Sequence, residues 1–585
     1  MIPHNGTFII FVQRIVRMKQ RFYLTLLLLF GCVSLQAGAV DSLLNTMTRR
    51  EKIAQIIFEA VGTQDRPAAR EMQRQLVREG LGGIIVMDDP LVPDMQLINE
   101  LRALARIPML VSIDGEWGAA MRFYEFSAFP RAMQLGALDD EGLVEQAGRA
   151  IGEELRALKI FVNYAPVVDV NNNPRNPVIN TRSFGERRER VSALGAAYLR
   201  GMQSAGVWGS AKHFPGHGDT DVDSHKGLPV LTFDRQRLDS LELYPFRRLI
   251  EEGTAMIMVG HLSVPALDSS GTPASISSAI VTGLLRQELG YQGIIITDAL
   301  GMEGVAAGNE NVALEAYKAG ADILLMPEKD LETLNVLDRA FARGELDEAG
   351  LDQRVRKVLQ LKQRSGMLDD TYSPFVDIAA LDSVTRRPAT DELIQTICDR
   401  SMTVVRGRLR RPLDLRRRMA FTTRPKVAYV AFNAVSPESA QFETELTRHG
   451  RVTRFDLPFD ATPEQIDSVG ALLRGYRNVI VGFHSGKPRP RSGGPQRFAS
   501  IEPEQFARIA NWSRRHKLHG FYLGNPYDLD KLNGYIRFKT FIIGYSDTRF
   551  NNIAAARALT VRGSARGSLP VGAGGLSAGY HSNKP

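Results

Sequence analysis

The feature that most constrains the fold is an alternation of short apolar runs with longer amphipathic stretches, from Leu43 to about Met367. This alternation is typical of repeated strand–helix units, in which buried parallel strands appear as continuous apolar runs. Eight such runs occur: Ile53–Glu59, Gly83–Asp88, Met109–Asp114, Phe161–Asp169, Val207–His213, Ala255–His261, Gly293–Asp298 and Asp322–Pro327. Most end on an acidic residue or a histidine, so the pattern predicts an α/β fold with a (β/α)8 TIM-type barrel that carries polar residues at its C-terminal strand ends. An open doubly wound sheet is the alternative, but its glycine-rich phosphate loop is missing.

A smaller α/β sandwich domain is predicted to follow the barrel. A connector containing Pro and Ser spans Asp369 to Arg387, and Thr390–Val405 then reads as a helix running into an apolar strand. Further strand-like runs are Val427–Phe432, Asn478–Phe483, Gly520–Leu523 and Thr540–Gly544, with helical stretches at Pro463–Arg474 and Pro503–Arg514. The predicted segments are an N-terminal extension and signal peptide (1–39), a catalytic barrel domain (40–367), a linker (368–387) and a C-terminal sandwich domain (388–585).

Composition limits the class of protein. Of the 585 residues 44% are hydrophobic and 24% are charged, which is ordinary for a globular chain and excludes disorder, a collagen-like repeat and a polytopic membrane protein. The net charge of +8 is spread along the chain without an aromatic-basic motif, so no nucleic-acid partner is expected. Two cysteines, Cys32 and Cys398, cannot form a disulfide framework. We expect a monomer without a cofactor or a metal.

The N-terminus is typical of an export signal. Positive residues from Arg14 to Arg21 precede the apolar run Phe22–Leu35, which is too short to span a bilayer, and small residues follow near Ala37 and Ala39. The pattern predicts a protein exported to the periplasm or the cell envelope.

Two details of this segment stay open. Met18 is a better start for such a signal than Met1. The run Leu29-Phe30-Gly31-Cys32 is similar to a bacterial lipobox, so acylation of Cys32 competes with simple cleavage, which we favour. Anchoring to a membrane is expected only through a lipidated Cys32.

The densest group of ionisable residues is the stretch from Lys212 to His225, which contains three of the ten histidines. Its glycines and proline exclude a helix and predict a long loop leaving the strand that ends near His213. Asp223 and His225 are two residues apart, close enough for the carboxylate to hold one imidazole nitrogen while the other faces a substrate. This pair is a candidate general acid/base.

Other strand ends supply further candidates. Asp298 follows an apolar strand and is a candidate nucleophile or electrostatic stabiliser, although an Asp in this position is as often a helix cap. Asp114 and Glu116 follow another strand. Arg182 and Lys212 can hydrogen-bond the hydroxyl groups of a sugar ring without competing for protons.

Two rival chemistries use the same or neighbouring residues. A zinc hydrolase would draw its ligands from His213, His217, Asp219 and His225, but their spacing gives no rigid helical pair. A serine hydrolase is poorer still, because the segment 482–486 (GFHSG) does not fit the Gly-x-Ser-x-Gly pattern.

On these residues the chain resembles glycoside hydrolase family 3, and within it the bacterial β-N-acetylglucosaminidase (β-hexosaminidase) branch. The specific signature is the run from Lys212 to Thr220 followed by Asp223-Ser224-His225. Supporting matches are Phe129-Pro130-Arg131-Ala132-Met133-Gln134-Leu135-Gly136-Ala137, Ala165-Pro166-Val167-Val168-Asp169-Val170, Arg182-Ser183-Phe184-Gly185 and Thr297-Asp298. The resemblance covers nearly all of the mature chain and is stronger in the barrel half.

The resemblance implies a retaining exo-glycosidase that hydrolyses terminal, non-reducing β-linked N-acetylglucosamine from peptidoglycan fragments or chitooligosaccharides. Asp298 matches the family's catalytic nucleophile, and His225 matches the acid/base with Asp223 as its partner. The positions that hold the terminal sugar are matched by Asp114, Arg182, Lys212 and His213.

The chain departs from the family pattern in two places. Trp117 replaces the first glycine of the usual Asp-x-Glu-Gly-Gly run, so a role for Glu116 is not carried over. The second domain matches only loosely and is expected to be structural or to modulate specificity. The alternatives are a family 3 β-glucosidase or β-xylosidase and, more remotely, a metal-dependent hydrolase or an inactive carbohydrate-binding protein.

Overall fold

The computed structural model describes residues 38–61, 67–87, 90–224, 226–306, 311–407, 413, 427–485 and 501–582. The named strands in these ranges form one sheet of eight strands and one of six. The first sheet contains β1 (Ile57–Val61), β2 (Gly83–Val86), β3 (Leu110–Ile113), β4 (Val162–Asn163), β5 (Trp208–Phe214), β6 (Met256–Val259), β7 (Ile294–Thr297) and β8 (Leu324–Leu325).

The eight-stranded sheet closes into a barrel. Its strands pair in parallel in the order β7-β6-β5-β4-β3-β2-β1-β8. The two end strands meet through a parallel bridge between Ile296 and Ile323, and the Thr297 amide donates to the Ile323 carbonyl at 3.2 Å. The predicted (β/α)8 barrel is therefore confirmed.

Both faces of the barrel strands are buried, which explains their continuous apolar runs. Phe58 of β1 and Ile294 of β7 belong to one cluster that draws on strands from all around the barrel and so fills its interior. Their neighbours Ile57 and Ile295 belong to the cluster that includes the surrounding helices.

Helices surround this sheet. The α-helices are 38–46, Arg49–Gln55, Pro67–Arg78, Leu91–Leu104, Ala132–Gly136, Glu141–Ala157, Arg188–Ser204, Arg235–Ser240, Tyr244–Glu251, Glu303–Ala306, Val312–Ala319, Asp330–Ala342 and Glu348–Arg364. A π-helix spans Ala279–Glu288, and 3-10 turns span Ala119–Met121, Asn180–Arg182 and Ala274–Ile276. The first predicted strand begins later than expected, because a capping box between Thr48 and Glu51 starts a helix that runs to Gln55.

The second sheet contains β9 (Thr403–Arg406), β10 (Val427–Phe432), β11 (Val452–Leu457), β12 (Asn478–Phe483), β13 (Lys517–Tyr522) and β14 (Thr540–Ile543). Their order is β11-β10-β12-β13-β14-β9, and only β9 is antiparallel to its neighbour. The accompanying α-helices are Leu381–Thr385, Pro388–Ser401, Ala440–Thr447, Pro463–Leu472, Pro503–Ala510 and Arg549–Thr560, and the 3-10 turns are Ile378–Ala380, Pro437–Ser439, Asn511–Arg514, Pro526–Asp530 and Asn533–Arg537. The predicted second α/β layer is confirmed.

The segment predicted as a linker is attached to the barrel. Val376 exchanges two hydrogen bonds with Asn99, one at 2.8 Å from the Asn99 amide and one at 2.9 Å to its oxygen. Cys398, in the helix that leads to β9, is buried and forms no disulfide bond with a described residue. Within the described ranges no helix has both the length and the apolar character needed to cross a bilayer. Cys32 and most of the predicted signal lie outside the described residues.

Candidate active site

Side chains from three barrel strands meet at the C-terminal rim of the barrel. Asp114 follows β3, Lys212 and His213 lie in β5, and Asp298 follows β7. Because the C-terminal ends of parallel strands share one rim, residues far apart in sequence come together there. Lys212 Nζ lies 2.7 Å from Asp114 Oδ1, and the charges of Lys212 and His213 both act on Asp298.

Asp114 lies between two cations. Its Oδ1 accepts from Lys212, and its Oδ2 accepts from Arg122 at 2.9 Å. Burial alone would raise the pKa of Asp114, but the two cations outweigh it and lower that pKa. The Asp114 side chain keeps 24% of its surface exposed, whereas Lys212 keeps 3%. The carboxylate is therefore ionised, fixed in place and partly open to a ligand.

Glu116 occupies the deepest part of the same cluster. The Arg182 guanidinium binds its carboxylate through two nitrogens at 2.7 and 3.0 Å, and Lys212 Nζ lies 3.0 Å from Oε1. Burial would raise the pKa of Glu116, but the charges of Arg182 and Lys212 lower it well below its ordinary value. Arg182, predicted to hold sugar hydroxyls, thus has much of its donor capacity taken by Glu116.

Trp117, which departs from the family pattern, packs against Arg131. Its ring lies under the Arg131 guanidinium, with 4.0 Å between the guanidinium carbon and the ring centroid. The Trp117 side chain is buried and borders a small cavity that also has Cys398 and Asn551 on its wall. The larger side chain is therefore accommodated on the side of the second domain.

His213 is held in one orientation by Asp169. The Nδ1 atom lies 2.8 Å from Asp169 Oδ2, and its Nε2 lies 3.4 Å from an Arg182 nitrogen. Nδ1 therefore donates to the Asp169 carboxylate, and Nε2 faces the Arg182 guanidinium. Asp169 also accepts from the backbone amide of His217 at 2.6 Å, and these partners outweigh burial to lower the pKa of Asp169.

Asp298 is an ionised carboxylate at neutral pH. Burial would raise its pKa, but the charges of His261 and His213 and a 2.8 Å hydrogen bond from the Ala299 amide lower it to about 2. His261 is itself fixed, with Nδ1 at 2.7 Å from Ser275 Oγ and Nε2 at 2.9 Å from the Ala299 carbonyl. The carboxylate therefore has the charge state that a nucleophile requires.

The loop that follows β5 is held from within by His217. Its two ring nitrogens lie 2.8 Å from Thr220 Oγ1 and 3.1 Å from Ser224 Oγ. Burial and the charge of His213 lower the pKa of His217 to about 4, so its ring is neutral near pH 7. Asp223, at the end of this loop, is half-buried. His225 lies outside the described residues.

The described residues that would bind zinc in the rival site already have other hydrogen-bond partners. Both ring nitrogens of His217 have hydroxyl partners, and Asp219 accepts from Asn172 at 2.9 Å and from Arg237 at 3.2 Å. The Nε2 of His213 faces the Arg182 cation. In the part of the chain that the structure describes, no group of three or more His, Cys, Asp or Glu residues has the arrangement of a metal site.

The structure brings together five of the predicted site residues, namely Asp114, Arg182, Lys212, His213 and Asp298. It also places Glu116 in the cluster, a strand-end candidate whose role was not carried over from the family, and adds three residues that were not among the candidates: Arg122, Asp169 and His261. The last two end predicted strand runs, which was a usable signal, and Glu116 lies two residues after a predicted site residue. The partners of Glu116 and Asp169, which are Arg182 and His213, lie far away in the sequence and are brought close only by the fold.

Comparisons with known proteins bear on this rim. The chain matches the model of the glycosyl hydrolase family 3 N-terminal domain over residues 48–361. That range contains every residue of the cluster described above.

Relatives with stated names match about half of this chain. "Beta-hexosaminidase A" of Pseudoalteromonas piscicida is 39% identical over 283 residues, 44% of this chain and 47% of that protein. "Beta-hexosaminidase LpqI" of Mycobacterium tuberculosis is 34% identical over 330 residues, 54% of this chain and 83% of that protein. The chain thus spans about half the length of the Pseudoalteromonas relative.

Similarity to a solved structure extends to both domains. A glycoside hydrolase family 3 β-N-acetylglucosaminidase from Paenibacillus sp. str. FPU-7 superposes with a TM-score of 0.73 at 31% identity, covering 91% of this chain and 100% of that chain. The second domain is thus part of an arrangement that both chains have.

Proposed function

The chain belongs to glycosyl hydrolase family 3, and we propose that it is a β-N-acetylhexosaminidase that removes terminal, non-reducing β-linked N-acetylglucosamine with retention of configuration. The observation that carries this proposal is the pair of ionised carboxylates, Asp114 and Asp298, on one barrel rim among buried cations. The names of the relatives support the choice of sugar. Peptidoglycan fragments and chitooligosaccharides are the proposed natural glycans.

Asp298 is the proposed nucleophile. Its carboxylate attacks the anomeric carbon as the bond to the leaving-group oxygen breaks, which gives a covalent glycosyl-enzyme. A pKa of about 2 supports this role, because the group carries no proton over the whole neutral range. The hydrogen bond from the Ala299 amide orients the attacking carboxylate.

His225, with Asp223 as its partner, is the proposed acid/base. It gives a proton to the leaving-group oxygen in the first step and takes one from water in the second. An imidazole suits both steps, because its unperturbed pKa of about 6.5 lies near neutral pH without the burial that a carboxylic acid would need.

The terminal sugar is proposed to bind on Asp114, Arg182, Lys212 and His213. The partly exposed Asp114 carboxylate can accept from ring hydroxyls, and Lys212 can donate to them. Glu116 and Asp169 fix these groups from behind, so little side-chain freedom is lost when the sugar binds.

Labelling tests fold class, reaction and nucleophile together. The protein is incubated with a mechanism-based fluorosugar of N-acetylglucosamine configuration, digested, and analysed by peptide mass spectrometry. We expect the label on the peptide that contains Asp298, and no label in Asp298→Asn. Labelling of a different carboxylate would contradict the assignment.

The acid role of His225 is tested with paired substrates. His225→Ala should slow cleavage of a chitooligosaccharide, whose leaving group is poor, far more than cleavage of nitrophenyl N-acetylglucosaminide. Equal loss on both substrates would remove His225 from the role of acid.

Two further measurements test the alternative functions. Faster cleavage of nitrophenyl N-acetylglucosaminide than of nitrophenyl glucoside would exclude the β-glucosidase alternative, and the reverse would support it. Full activity in EDTA would exclude the metal-dependent hydrolase.

The location of the protein is proposed on the sequence alone. The charge, apolar and small-residue order of the N-terminus supports export to the periplasm or cell envelope. Mass spectrometry of the N-terminal peptide from the native host would distinguish cleavage near Ala37 or Ala39 from acylation of Cys32.

A further inference from the structure

One barrel loop connects the sugar-binding cluster with the second domain. Residues 171–186 run along the rim between β4 and the helix Arg188–Ser204, and they include Arg182. The second domain touches this loop at two places, once through the turn that follows β13 and once through the C-terminal segment.

The first contact comes from Asn525 and Tyr527. The Asn525 amide nitrogen donates to Asn180 Oδ1 at 2.6 Å, while its own oxygen accepts from the Tyr527 amide and caps the turn Pro526–Asp530. The Tyr527 hydroxyl accepts from Asn171 Nδ2 at 2.9 Å and donates to the Asn171 carbonyl at 3.0 Å. The turn thus holds the start of the loop at Asn171 and its central part at Asn180.

The conformation at Asn180 makes the first contact important. Asn180 has a φ of 39°, in the left-handed region that a residue with a Cβ rarely adopts. It begins the 3-10 turn Asn180–Arg182, two residues before the guanidinium that binds Glu116. A partner that fixes the Asn180 side chain therefore also fixes the backbone that aims Arg182.

The second contact comes from Pro570 and Gly572. The Glu186 amide donates to the Pro570 carbonyl at 3.2 Å, and the Glu186 carboxylate accepts from the Gly572 amide at 2.8 Å. Gly185 packs so closely here that a Cβ would lie 2.4 Å from the Pro570 carbonyl oxygen. This end of the loop is therefore closely packed against the second domain.

The same loop also supports the segment that leads to Asp223. The Asn176 amide nitrogen donates to the carbonyls of His217 and Gly218 at 2.8 and 3.0 Å. Its oxygen accepts from the amides of Val178 and Ile179. The 171–186 loop thus connects the second domain with the sugar-binding cation and with the loop after β5.

We propose that Asn525 and Tyr527 are positioning residues through which the second domain orients Arg182, and with it the Glu116–Lys212 cluster, for binding of the terminal sugar. This proposal rests on the proposed function, because it assigns that cluster to the sugar. The two residues act through the loop and need not touch the substrate. The second domain is then required for affinity even though the proposed nucleophile and acid/base belong to the barrel.

The test compares Asn525→Ser/Tyr527→Phe with Tyr535→Phe in the full-length protein. Serine keeps a helix-capping oxygen but is too short to reach Asn180, and phenylalanine loses only the hydroxyl. Tyr535 is the matched control, because its buried side chain donates to the Gly574 carbonyl at 2.9 Å within the second domain. Tyr527→Phe alone is measured as well, since this one-atom change is the mildest.

We expect the KM for nitrophenyl N-acetylglucosaminide and the inhibition constant of N-acetylglucosamine to rise about 10-fold in the double variant, because three hydrogen bonds to the loop are lost. Tyr527→Phe should give a smaller rise in the same direction, kcat should change less than about twofold, and Tyr535→Phe should leave all three constants unchanged. A melting temperature measured for each variant separates affinity from stability.

Two failures are distinguishable. If the wild-type protein neither cleaves the N-acetylglucosaminide nor binds N-acetylglucosamine, the proposed function is wrong. If it does both but the KM and the inhibition constant of the Tyr527 variants match those of Tyr535→Phe, the positioning role is wrong. A loss confined to kcat with KM unchanged would also overturn that role.

Discussion

Two buried lysines lie at opposite ends of the barrel, and their surroundings differ in kind. At the rim, Lys212 lies 2.7 Å from Asp114 and 3.0 Å from Glu116. At the floor, by which we mean the end of the barrel where the strands begin, Lys362 donates to the neutral oxygen of Gln55 at 2.6 Å. Both side chains are almost entirely buried. Burial lowers the pKa of Lys362 to about 7, whereas at Lys212 the two carboxylates outweigh burial and raise the pKa.

The difference shows what distinguishes a binding site from a buried charge. A lysine with counter-charges stays protonated and immobile, ready to donate to a ligand, and its carboxylate partner Asp114 remains partly open. A lysine with a neutral partner gives up its proton near neutral pH and only changes how stability depends on pH. This difference supports the proposed binding site at the rim, and substitutions at the two ends should have separable effects.

The largest effect is expected from a carboxylate at the rim. Asp298→Asn should lower kcat on nitrophenyl N-acetylglucosaminide by at least about 10⁴-fold, because the amide cannot form the glycosyl-enzyme. Its counterpart at the floor is Asp322, which precedes β8 and binds Arg286 at 2.6 Å and Lys357 at 3.0 Å.

The control Asp322→Asn should cost stability but keep kcat within about threefold, because it breaks a buried ion pair away from the rim. Urea unfolding and steady-state rates are measured for both variants. Comparable losses of kcat in the two would show that activity follows fold stability and would remove the distinction between rim and floor.

The next effect concerns the rim lysine itself. Lys212→Met should lower the free energy of unfolding by about 3 kcal/mol at pH 7, because the buried Glu116 and the partly buried Asp114 are left with one cation fewer. The pKa of Glu116 is lowered in the folded state, so this ion pair contributes stability above the unfolded pKa of about 4.3 and loses it as the pH falls. The difference between wild type and variant in urea unfolding should therefore shrink below about pH 4. A difference that is constant from pH 7 to pH 3 would contradict the ion-pair origin.

The barrel could be predicted from the sequence because its strands are buried on both faces, so that each one appears as a continuous apolar run. The sequence did not predict β11, whose residues Val452, Arg454 and Phe455 are half-buried at a sheet edge, so the run mixes polar and apolar side chains. Burial on both faces leaves a pattern of apolar residues in the sequence, whereas the half-buried positions of β11 leave none.

The site residues also differ in whether they could be predicted from the sequence. Asp114 and Asp298 were predictable, because each follows an apolar run and so lies at the rim. The ion pair of Glu116 with Arg182 spans 66 positions, and the hydrogen bonds of Asp169 with His213 span 44. No local pattern encodes such pairs, since they exist only after the strands have been ordered around the barrel.

The smallest effect is expected from substitution of Lys362 at the floor, and it is a gain rather than a loss in the free energy of unfolding. The pKa of Lys362 is about 7 in the folded protein and about 10.4 in the unfolded chain. Between these values the unfolded chain binds one more proton, so the free energy of unfolding rises with pH. Below pH 7 the folded state carries the full cost of a buried charge.

Lys362→Met removes that cost but leaves Gln55 Oε1 without its donor, for a net gain in the free energy of unfolding of about 2 kcal/mol at pH 6. Urea unfolding at pH 6, 8 and 10 should show a gain that declines as the pH rises, with kcat unchanged. A variant that is less stable than wild type at pH 6 would mean that Lys362 has a counter-charge after all, and that the two ends of the barrel treat a buried lysine alike.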